Sequence, residues 1–228
     1  MDSAGVATDF HFYEPAKGHG LRHNPFKSIV APRPIGWISS RSKAGVFNLA
    51  PYSFFNAFSD APPIIGFSTS AHKKDTINNV EQTGEFAFNL VTRGLAEQMN
   101  ATSASVEPDV SEFALAGLTP AASRIIAAPR VAESPVSFEC KCTEILQLKS
   151  ASGAKIPSWL VLGEVVAVYI DKVLLRDGVY DTAAAQHLAR GGGLADYFWV
   201  DEPKNGIRAV RLSRFLRSTF RADWPLRA

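Results

Sequence analysis

The stretch from Arg33 to Phe55, RPIGWISSRSKAGVFNLAPYSFF, constrains the fold of this chain more than any other feature. Residues Ile35–Ser40 alternate as a β-strand does, and Ser42–Gly45 supplies the small and polar residues of a turn. Asn48–Ser53 then follows as an extended stretch whose small residues and proline leave the backbone open to close approach. This order of strand, turn and accessible segment indicates a strand pair whose edge can receive a flat ligand.

The size and composition of the chain indicate one main domain. Its 228 residues are 46% hydrophobic, enough to bury a substantial core. The 24 Lys and Arg nearly balance the 22 Asp and Glu, and the formal charge of +2 is too small for the electrostatic footprint of a nucleic-acid-binding protein. The first residues, MDSAGVATDF, do not read as a secretory signal, and no apolar run approaches the length of a membrane span. We therefore expect a cytoplasmic protein without nucleic-acid or membrane partners.

The cysteines and histidines give no metal-site pattern. Cys140 and Cys142 are separated by one residue on the alternating stretch VSFECKC, so both should point to one strand face, where they are poorly placed to bridge each other. A tetrahedral metal site needs further soft or imidazole ligands at suitable spacing, and the five histidines show no such pairing. We expect two buried thiols and no metal.

Short alternating or apolar segments separated by turn residues recur along the chain, which is typical of a β-barrel or β-sandwich. The predicted strands are Ile35–Ser40, Pro63–Ser68, Glu85–Val91, Val136–Leu148 and Trp159–Ile170. The predicted helices are Asp75–Thr83, Leu95–Ala101 and Thr182–Ala189. Asp75 is expected to cap the first helix at its start and Gly84 to close its end. The helices interrupt the strands irregularly, which disfavours the doubly wound dinucleotide-binding fold. Gly191–Gly193 follows a predicted helix instead of opening one, so we interpret it as a turn.

Several motifs of the chain resemble one known family, the flavin reductase-like, FMN-binding split-barrel proteins, which include flavoredoxins and reductase components of two-component monooxygenases. The motifs are FYEPAKGHGL, RPIGWISS, NLAPYSFFNAFSDAPP, KKDTINN, TGEFAFNL, ESPVSFEC, LGEVVAVYI and GGGLADY, in the family's order. The resemblance runs from about Phe12 to about Pro203, and NLAPYSFF after RPIGWIS is its most specific part. It implies a domain at residues 1–203 that is mainly β with flanking helices, an antiparallel FMN-binding split β-barrel that forms a homodimer.

The end of the predicted strand Pro63–Ser68 suits a phosphate group. Hydroxyl side chains follow there, and Lys73 and Lys74 precede a predicted helix whose free N–H groups favour an anion. By itself such a cluster is more often a polar loop with solvated lysines. The resemblance places the FMN phosphate among Ser68, Thr69, Ser70, Lys74 and Thr76.

The flavin ring is expected at the extended segment after the first turn. Asn48 offers both a donor and an acceptor, and backbone groups near Leu49, Ala50 and Ser53 can pair with the pyrimidine edge of a flavin. Ser39 and Ser40 could reach the ribityl chain or the phosphate.

Three neighbouring side chains stay outside this predicted site. Trp37 lies on a predicted strand face and is more often a core residue than a cofactor contact. His187 and Arg190 belong to QHLARGGGLADY, which in the family lies near the cofactor, often across a dimer interface. A histidine in a helix is commonly a surface or satisfied core residue, so a direct role for either residue is left open.

Two segments outside the strands have competing interpretations. Val106–Arg130, rich in Ala, Pro and Ser, is predicted to leave the barrel as a surface excursion that either covers the cofactor region, as in the family, or is a solvated loop without a role. Residues 204–228 form a separate basic tail or helical arm, with arginines at intervals of three or four. A basic amphipathic helix can dock on an anionic membrane or on nucleic acid, but a solvated or partner-wrapping arm is the commoner outcome.

The chain shows no nucleophile–base pair, matched carboxylates or G-x-S-x-G motif, as expected where a flavin carries the reaction and no side chain is assigned as catalytic. The resemblance implies FMN as the cofactor and NADH or NADPH as the co-substrate, with electrons passing to free flavin, a monooxygenase component or another acceptor. Two alternatives stay open. One is a flavoredoxin-like electron-transfer protein without direct NAD(P)H use, and the other is a cofactor-free binding protein on the same barrel.

Overall fold

The computed structural model describes residues 9–70, 72–107, 109–192 and 196–201. The strands are β1 (Arg33–Pro34), β2 (Gly36–Arg41), β3 (Phe47–Tyr52), β4 (Phe55–Asp60), β5 (Pro63–Ser68), β6 (Glu85–Asn89), β7 (Pro120–Ala121), β8 (Arg130–Val131), β9 (Val136–Lys149), β10 (Lys155–Ile170), β11 (Leu175–Arg176), β12 (Val179–Tyr180), β13 (Leu188–Arg190) and β14 (Tyr197–Trp199). The α-helices are α1 (Phe26–Ile29), α2 (Asp75–Thr83), α3 (Ala96–Ala101), α4 (Glu112–Leu115) and α5 (Thr182–Ala185). Short 3-10 turns lie at Pro15–Lys17, Arg93–Leu95 and Lys172–Leu174.

Seven strands form one antiparallel sheet in the order β3-β2-β6-β9-β10-β5-β4. Its long central pair, β9 and β10, contains register shifts, which let a sheet bend around a core. β3 and β4 lie at opposite ends of the order and do not pair with each other, so the barrel is open on one side. The predicted antiparallel, mainly β architecture with flanking helices is confirmed.

The first predicted strand separates two hydrophobic clusters. Ile38 joins Phe67 and Phe86 inside the barrel, whereas Trp37 packs on the opposite side of β2 with Leu49. This is the two-faced alternation expected of a strand. Trp37 is fully buried, and its Nε1 donates to Thr102 Oγ1 at 2.9 Å, so its interpretation as a core residue is confirmed.

The predicted strands reappear as β2, β5, β6, β9 and β10, and the extended segment of the opening motif is β3. The largest difference in these bounds is at β10, which begins at Lys155 instead of Trp159. Cys140 is buried and Cys142 is half-buried on β9, and both are free thiols.

Helix α2 has the predicted bounds but a different N-terminal cap. Gly84 ends it in the left-handed conformation at φ 71°, as predicted. The capping position is Lys74, whose side chain makes no capping hydrogen bond, so the prediction that Asp75 caps the helix is wrong. Asp75 is the first helical residue, where the positive end of the helix dipole stabilises its carboxylate.

The predicted helix Thr182–Ala189 is wrong beyond Ala185. Gln186 turns the chain at φ 46°, and β13 follows, paired antiparallel with β1 and β14. The N–H of Leu188 donates to the carbonyl of Val91 at 2.8 Å. Long-range pairing therefore overrides the helix propensity of an alanine-rich segment. The glycine run thus follows a strand, and the N–H of Gly191 donates to the carbonyl of Asp196 at 2.8 Å between β13 and β14. Gly193, the last residue of the predicted turn, lies outside the described residues.

The excursion Val106–Arg130 packs against the barrel, with Pro108 outside the described residues. Phe113 and Leu118 are buried in the cluster on the outer side of β2. Glu139 of β9 accepts from three consecutive backbone N–H groups of the excursion, those of residues 124–126. The interpretation as a solvated loop is therefore wrong.

Three predictions are not addressed by the strands and helices above: those on the basic tail, on a membrane span and on a metal site. The basic tail, 204–228, lies outside the described residues. In the described part of the chain, no helix is long and apolar enough to cross a membrane, and no group of three or more His, Cys, Asp and Glu side chains is arranged to hold a metal ion.

Candidate functional site

A hydrogen-bonded network joins the start of α2 to the free edge of β3. Thr76 Oγ1 donates to Asn48 Oδ1 at 2.6 Å, and Asn48 Nδ2 donates to Glu112 Oε1 at 2.8 Å. The other carboxylate oxygen, Glu112 Oε2, accepts from Leu49 N–H at 2.9 Å. A strand at the end of a sheet leaves N–H groups unpaired, and Glu112 satisfies one of them.

The same network continues beneath the helix. Asn79 Nδ2 donates to Ser40 Oγ at 3.1 Å, and Ser40 Oγ donates to Asn48 Oδ1 at 3.3 Å. Asn48 therefore has its amide oxygen held by two hydroxyls and one amide hydrogen held by a carboxylate. Its second Nδ2–H has no acceptor among the described residues, which leaves an oriented donor at the strand edge.

A groove of about 230 Å³ opens beside this network. Asn48, Ala50, Lys74 and Thr76 line it together with residues of the excursion, including Glu112. Lys73 contacts Glu81, whereas Lys74 has no ion-pair partner among the described residues. No described group accepts from the N–H of residues 75 and 76 in the first turn of α2. These donors make this end of the groove suited to an anion, although the carboxylate of Asp75 also faces it.

A second groove, of about 390 Å³, continues along β3. It shares Pro51 and Ser103 with the first, so the two are contiguous. Ser53, Arg33 and Arg190 lie among its lining residues. From Asn48 to Ser53 an extended strand covers about 17 Å, room for an elongated ligand.

The structure brings five of the predicted contact residues to these grooves: Asn48, Ala50, Lys74 and Thr76 at the first and Ser53 at the second. The side chain of Leu49 is fully buried, and its backbone N–H already donates to Glu112. Ser39 is also fully buried, and its hydroxyl donates to Pro129 O on the far side of the strand from Asn48. Ser40 reaches the site only through Asn48.

Ser68, the last residue of β5, and the two hydroxyl residues after it do not line either groove. Ser68 Oγ donates to Thr69 O at 3.0 Å, and Thr69 Oγ1 accepts from Trp159 N–H at 3.2 Å. Ser70 is exposed. One of these hydroxyls bonds to the adjacent backbone and another to β10, so both hold the chain in place. A sequence pattern does not distinguish such hydroxyls from ligand contacts.

Glu112 is a site residue that the motifs do not reveal. Burial raises the pKa of its carboxyl, while the N–H of Leu49 acts in the opposite direction. Nothing in the local sequence SEFALAGL indicates a partner that lies 64 residues away, at Asn48.

Tyr52 places a buried polar atom on the same face of β3 as Asn48 and Ala50. Its hydroxyl has no hydrogen-bond partner among the described residues. Burial raises the pKa of this phenol above its ordinary value, and the adjacent Thr76 acts in the opposite direction.

His187 and Arg190 lie in different places. His187 Nε2 and the Tyr180 hydroxyl are 2.8 Å apart at an apolar cavity of about 470 Å³ bounded by Phe55, Phe88 and other residues. Burial lowers the pKa of His187. Arg190 lines the second groove and stacks on Tyr197 at 4.7 Å.

Comparison with known proteins identifies the family. Residues 29–188 match the flavin reductase like domain. A relative in Halalkalibacterium halodurans is 36% identical over 183 residues, which cover 76% of this chain and 87% of that protein. Another in Aquifex aeolicus is 38% identical over 155 residues, covering 66% and 76%.

Solved structures show the same architecture. Nitrilotriacetate monooxygenase component B from Bacillus cereus superposes with a TM-score of 0.78 at 28% identity, covering 86% of this chain and 98% of that one. Pseudomonas fluorescens 2-nitrobenzoate 2-nitroreductase gives 0.71 at 27% identity, covering 82% and 90%. Flavoredoxin of Desulfovibrio vulgaris superposes with a TM-score of 0.68 at 20% identity, covering 79% of this chain and 93% of that one. This comparison shows a similar fold. The chain therefore belongs to the flavin reductase like family, with that family's split β-barrel.

Proposed function

We propose that this protein binds FMN in the two contiguous grooves along β3 and works as an NAD(P)H-dependent flavin reductase. The observation that carries the proposal is Asn48, whose amide is held by Thr76, Ser40 and Glu112 so that one N–H remains directed away from the network. A fixed donor that lines a groove is the group needed to hold the edge of a planar heterocycle.

The residues present fit a mononucleotide. The first turn of α2 and Lys74 would hold its phosphate, since an ammonium group and free helix N–H groups favour an anion. The ring would lie along β3, near Ala50 and Ser53.

Bound FMN would supply the redox chemistry, taking a hydride from NADH or NADPH and passing electrons on to an acceptor. The chain's own contribution is positional. Asn48 and the β3 backbone orient the ring edge, while α4 of the excursion covers β3 and holds Asn48 through Glu112. The network resists rearrangement because Thr76, Ser40 and Glu112 each hydrogen-bond to the amide of Asn48.

We further propose a homodimer that delivers electrons or reduced flavin to a partner protein such as a monooxygenase component. The likeness to a monooxygenase component B supports this kind of partner. A flavoredoxin is among the structural neighbours, so an electron-transfer protein that another protein reduces is the second candidate.

The test is anaerobic reduction of the purified FMN-loaded protein. We expect NADH or NADPH to bleach the flavin absorbance within seconds to minutes. If neither nicotinamide reduces the flavin but dithionite does, the flavoredoxin-like alternative is correct. If the protein retains no FMN after titration, both flavin proposals are wrong.

A further inference from the structure

Arg33 carries a positive charge into the interior of the protein. Only 6% of the residue is exposed. Its guanidinium donates to the carbonyl oxygens of Lys27 and Val30, and to that of Gly191 at 3.3 Å. These bonds satisfy several N–H groups but supply no negative charge.

No counter-ion for Arg33 is found in the described part of the chain. None of the ion pairs there involves Arg33, and its buried Nε has no hydrogen-bond partner. The residue directly opposite on β13 is another cation, Arg190. Burial, and next the charge of Arg190, lower the pKa of Arg33. A buried charge without an opposite charge is costly, so this arrangement calls for an anion from outside the chain.

The second groove is where such an anion can enter. Arg33, Arg190 and Lys27 all line it, and no acidic residue of the described part of the chain does. Apolar surface from Ile35 and other side chains completes the lining. Three cations around one half-apolar groove match an oxyanion attached to a larger organic body.

The location argues against the flavin phosphate as this anion. The first turn of α2 and Lys74 already provide a phosphate site in the first groove. Arg33 lies beyond the other end of β3, past Pro51 and Ser53. A molecule bound there would lie next to the ring of a flavin whose phosphate is at α2.

We propose that the groove lined by Arg33, Arg190 and Lys27 binds the oxyanion, a phosphate or a carboxylate, of the substrate that reacts beside the flavin. Its position beside a flavin rests on the proposed function. The presence of an oxyanion site is independent of the proposed function.

The experiment is calorimetric titration of the purified protein with pyrophosphate, in parallel with benzoate, each with and without saturating FMN. We expect at least one of the two anions to bind with FMN present. Arg33→Gln should weaken that binding by about tenfold or more, because a charge-assisted contact is lost. Arg41→Gln, an equal charge change at an exposed residue that lines neither groove, should leave it unchanged. Tighter binding of pyrophosphate or of benzoate tells which oxyanion the site prefers.

Two further variants separate a loss of anion binding from a loss of the fold, because Arg33 also donates hydrogen bonds to three backbone carbonyls. Arg33→Lys keeps the charge and should retain part of the affinity, and Lys27→Gln, at an exposed lysine, should weaken binding about threefold to tenfold. The proposal is overturned if neither anion binds, if Lys27→Gln and Arg33→Lys both match the wild type, or if the anion competes with FMN. Titration without FMN decides on the oxyanion site even if the protein binds no flavin.

Discussion

At the scale of single residues, the candidate site depends on groups that hold each other. Asn48 alone would be a flexible amide on a strand edge. Thr76 and Glu112 fix it from two elements that are distant in sequence, and Lys74 adds a charge without an ion-pair partner among the described residues. The site therefore responds to substitutions in α2 and in the excursion as well as in β3.

Lys74→Ala should weaken FMN binding while leaving the fold intact. Loss of one charge-assisted contact removes about 1.5 to 3 kcal/mol, or roughly tenfold to a hundredfold in affinity. Fluorescence titration of the flavin-free variant measures it. Lys43→Ala removes the same charge from an exposed lysine away from both grooves and should bind as the wild type does. Equal affinities for Lys74→Ala and wild type would remove Lys74 from the site.

Glu112→Gln should lower both stability and FMN affinity. A glutamine has one acceptor oxygen, so it can accept from Asn48 or from Leu49 but presents a donor to the other. We expect a loss of about 1 to 3 kcal/mol in the free energy of unfolding, measured by urea denaturation, and weaker FMN binding in titration. The exposed Glu107→Gln is the control. An unchanged urea midpoint would show that the network does not stabilise β3.

At the scale of elements, the buried carboxylate of Glu139 anchors the excursion to β9. Glu139 accepts from three consecutive N–H groups and from the Tyr169 hydroxyl at 2.5 Å. Burial alone would raise the pKa of Glu139, but these hydrogen bonds outweigh it and hold the pKa below its ordinary value. The ionised form thus favours the folded state.

Glu139→Gln should cost about 2 kcal/mol near neutral pH, because two or more N–H groups lose a charged acceptor. The contribution of an acid with a depressed pKa is present above its unfolded-state pKa of about 4.3 and is lost as the pH falls through the folded-state value. The stability gap between wild type and variant should therefore narrow as the pH falls below about 4.3 in urea titrations. Glu144→Gln, at an exposed residue of the same strand, should show little effect. A gap that stays constant with pH would contradict the assignment.

The elements also show which features a sequence reveals. Local rules predicted α2 and its glycine end, because periodicity and a terminal glycine are encoded within one segment. The same rules failed for β13, where pairing with β1 decides the conformation. Glu112 and Arg33 escaped prediction because their importance comes from partners brought close only by the fold.

At the scale of the whole molecule, apolar surface is left uncovered. Phe10 and Phe12 in the N-terminal segment are 77% and 81% exposed, and Val168 on the long strand β10 is 53% exposed. β4 is the exposed end strand of an open barrel. Unpaired edges and apolar patches of this kind are usually covered by another chain.

We therefore expect a homodimer whose assembly helps to build the flavin site. Light scattering of the FMN-loaded protein should give twice the chain mass of 24.7 kDa. Dilution into monomers should release FMN and lower activity in parallel, since dissociation removes part of the site. A monomer that keeps FMN and full activity at nanomolar concentration would exclude this coupling.

FMN bound in the grooves along β3 is the property of the whole molecule on which the proposed function depends. The first turn of α2 offers free N–H donors for one phosphate, and in the described part of the chain no glycine-rich turn opens a helix to take a pyrophosphate. The most direct measurement is chromatography of the flavin released when purified protein is denatured, followed by titration of the flavin-free protein with FMN and FAD. We predict release of FMN, about one per chain, and tighter binding of FMN than of FAD. Recovery of FAD alone, or a protein that binds neither flavin, would contradict the claim.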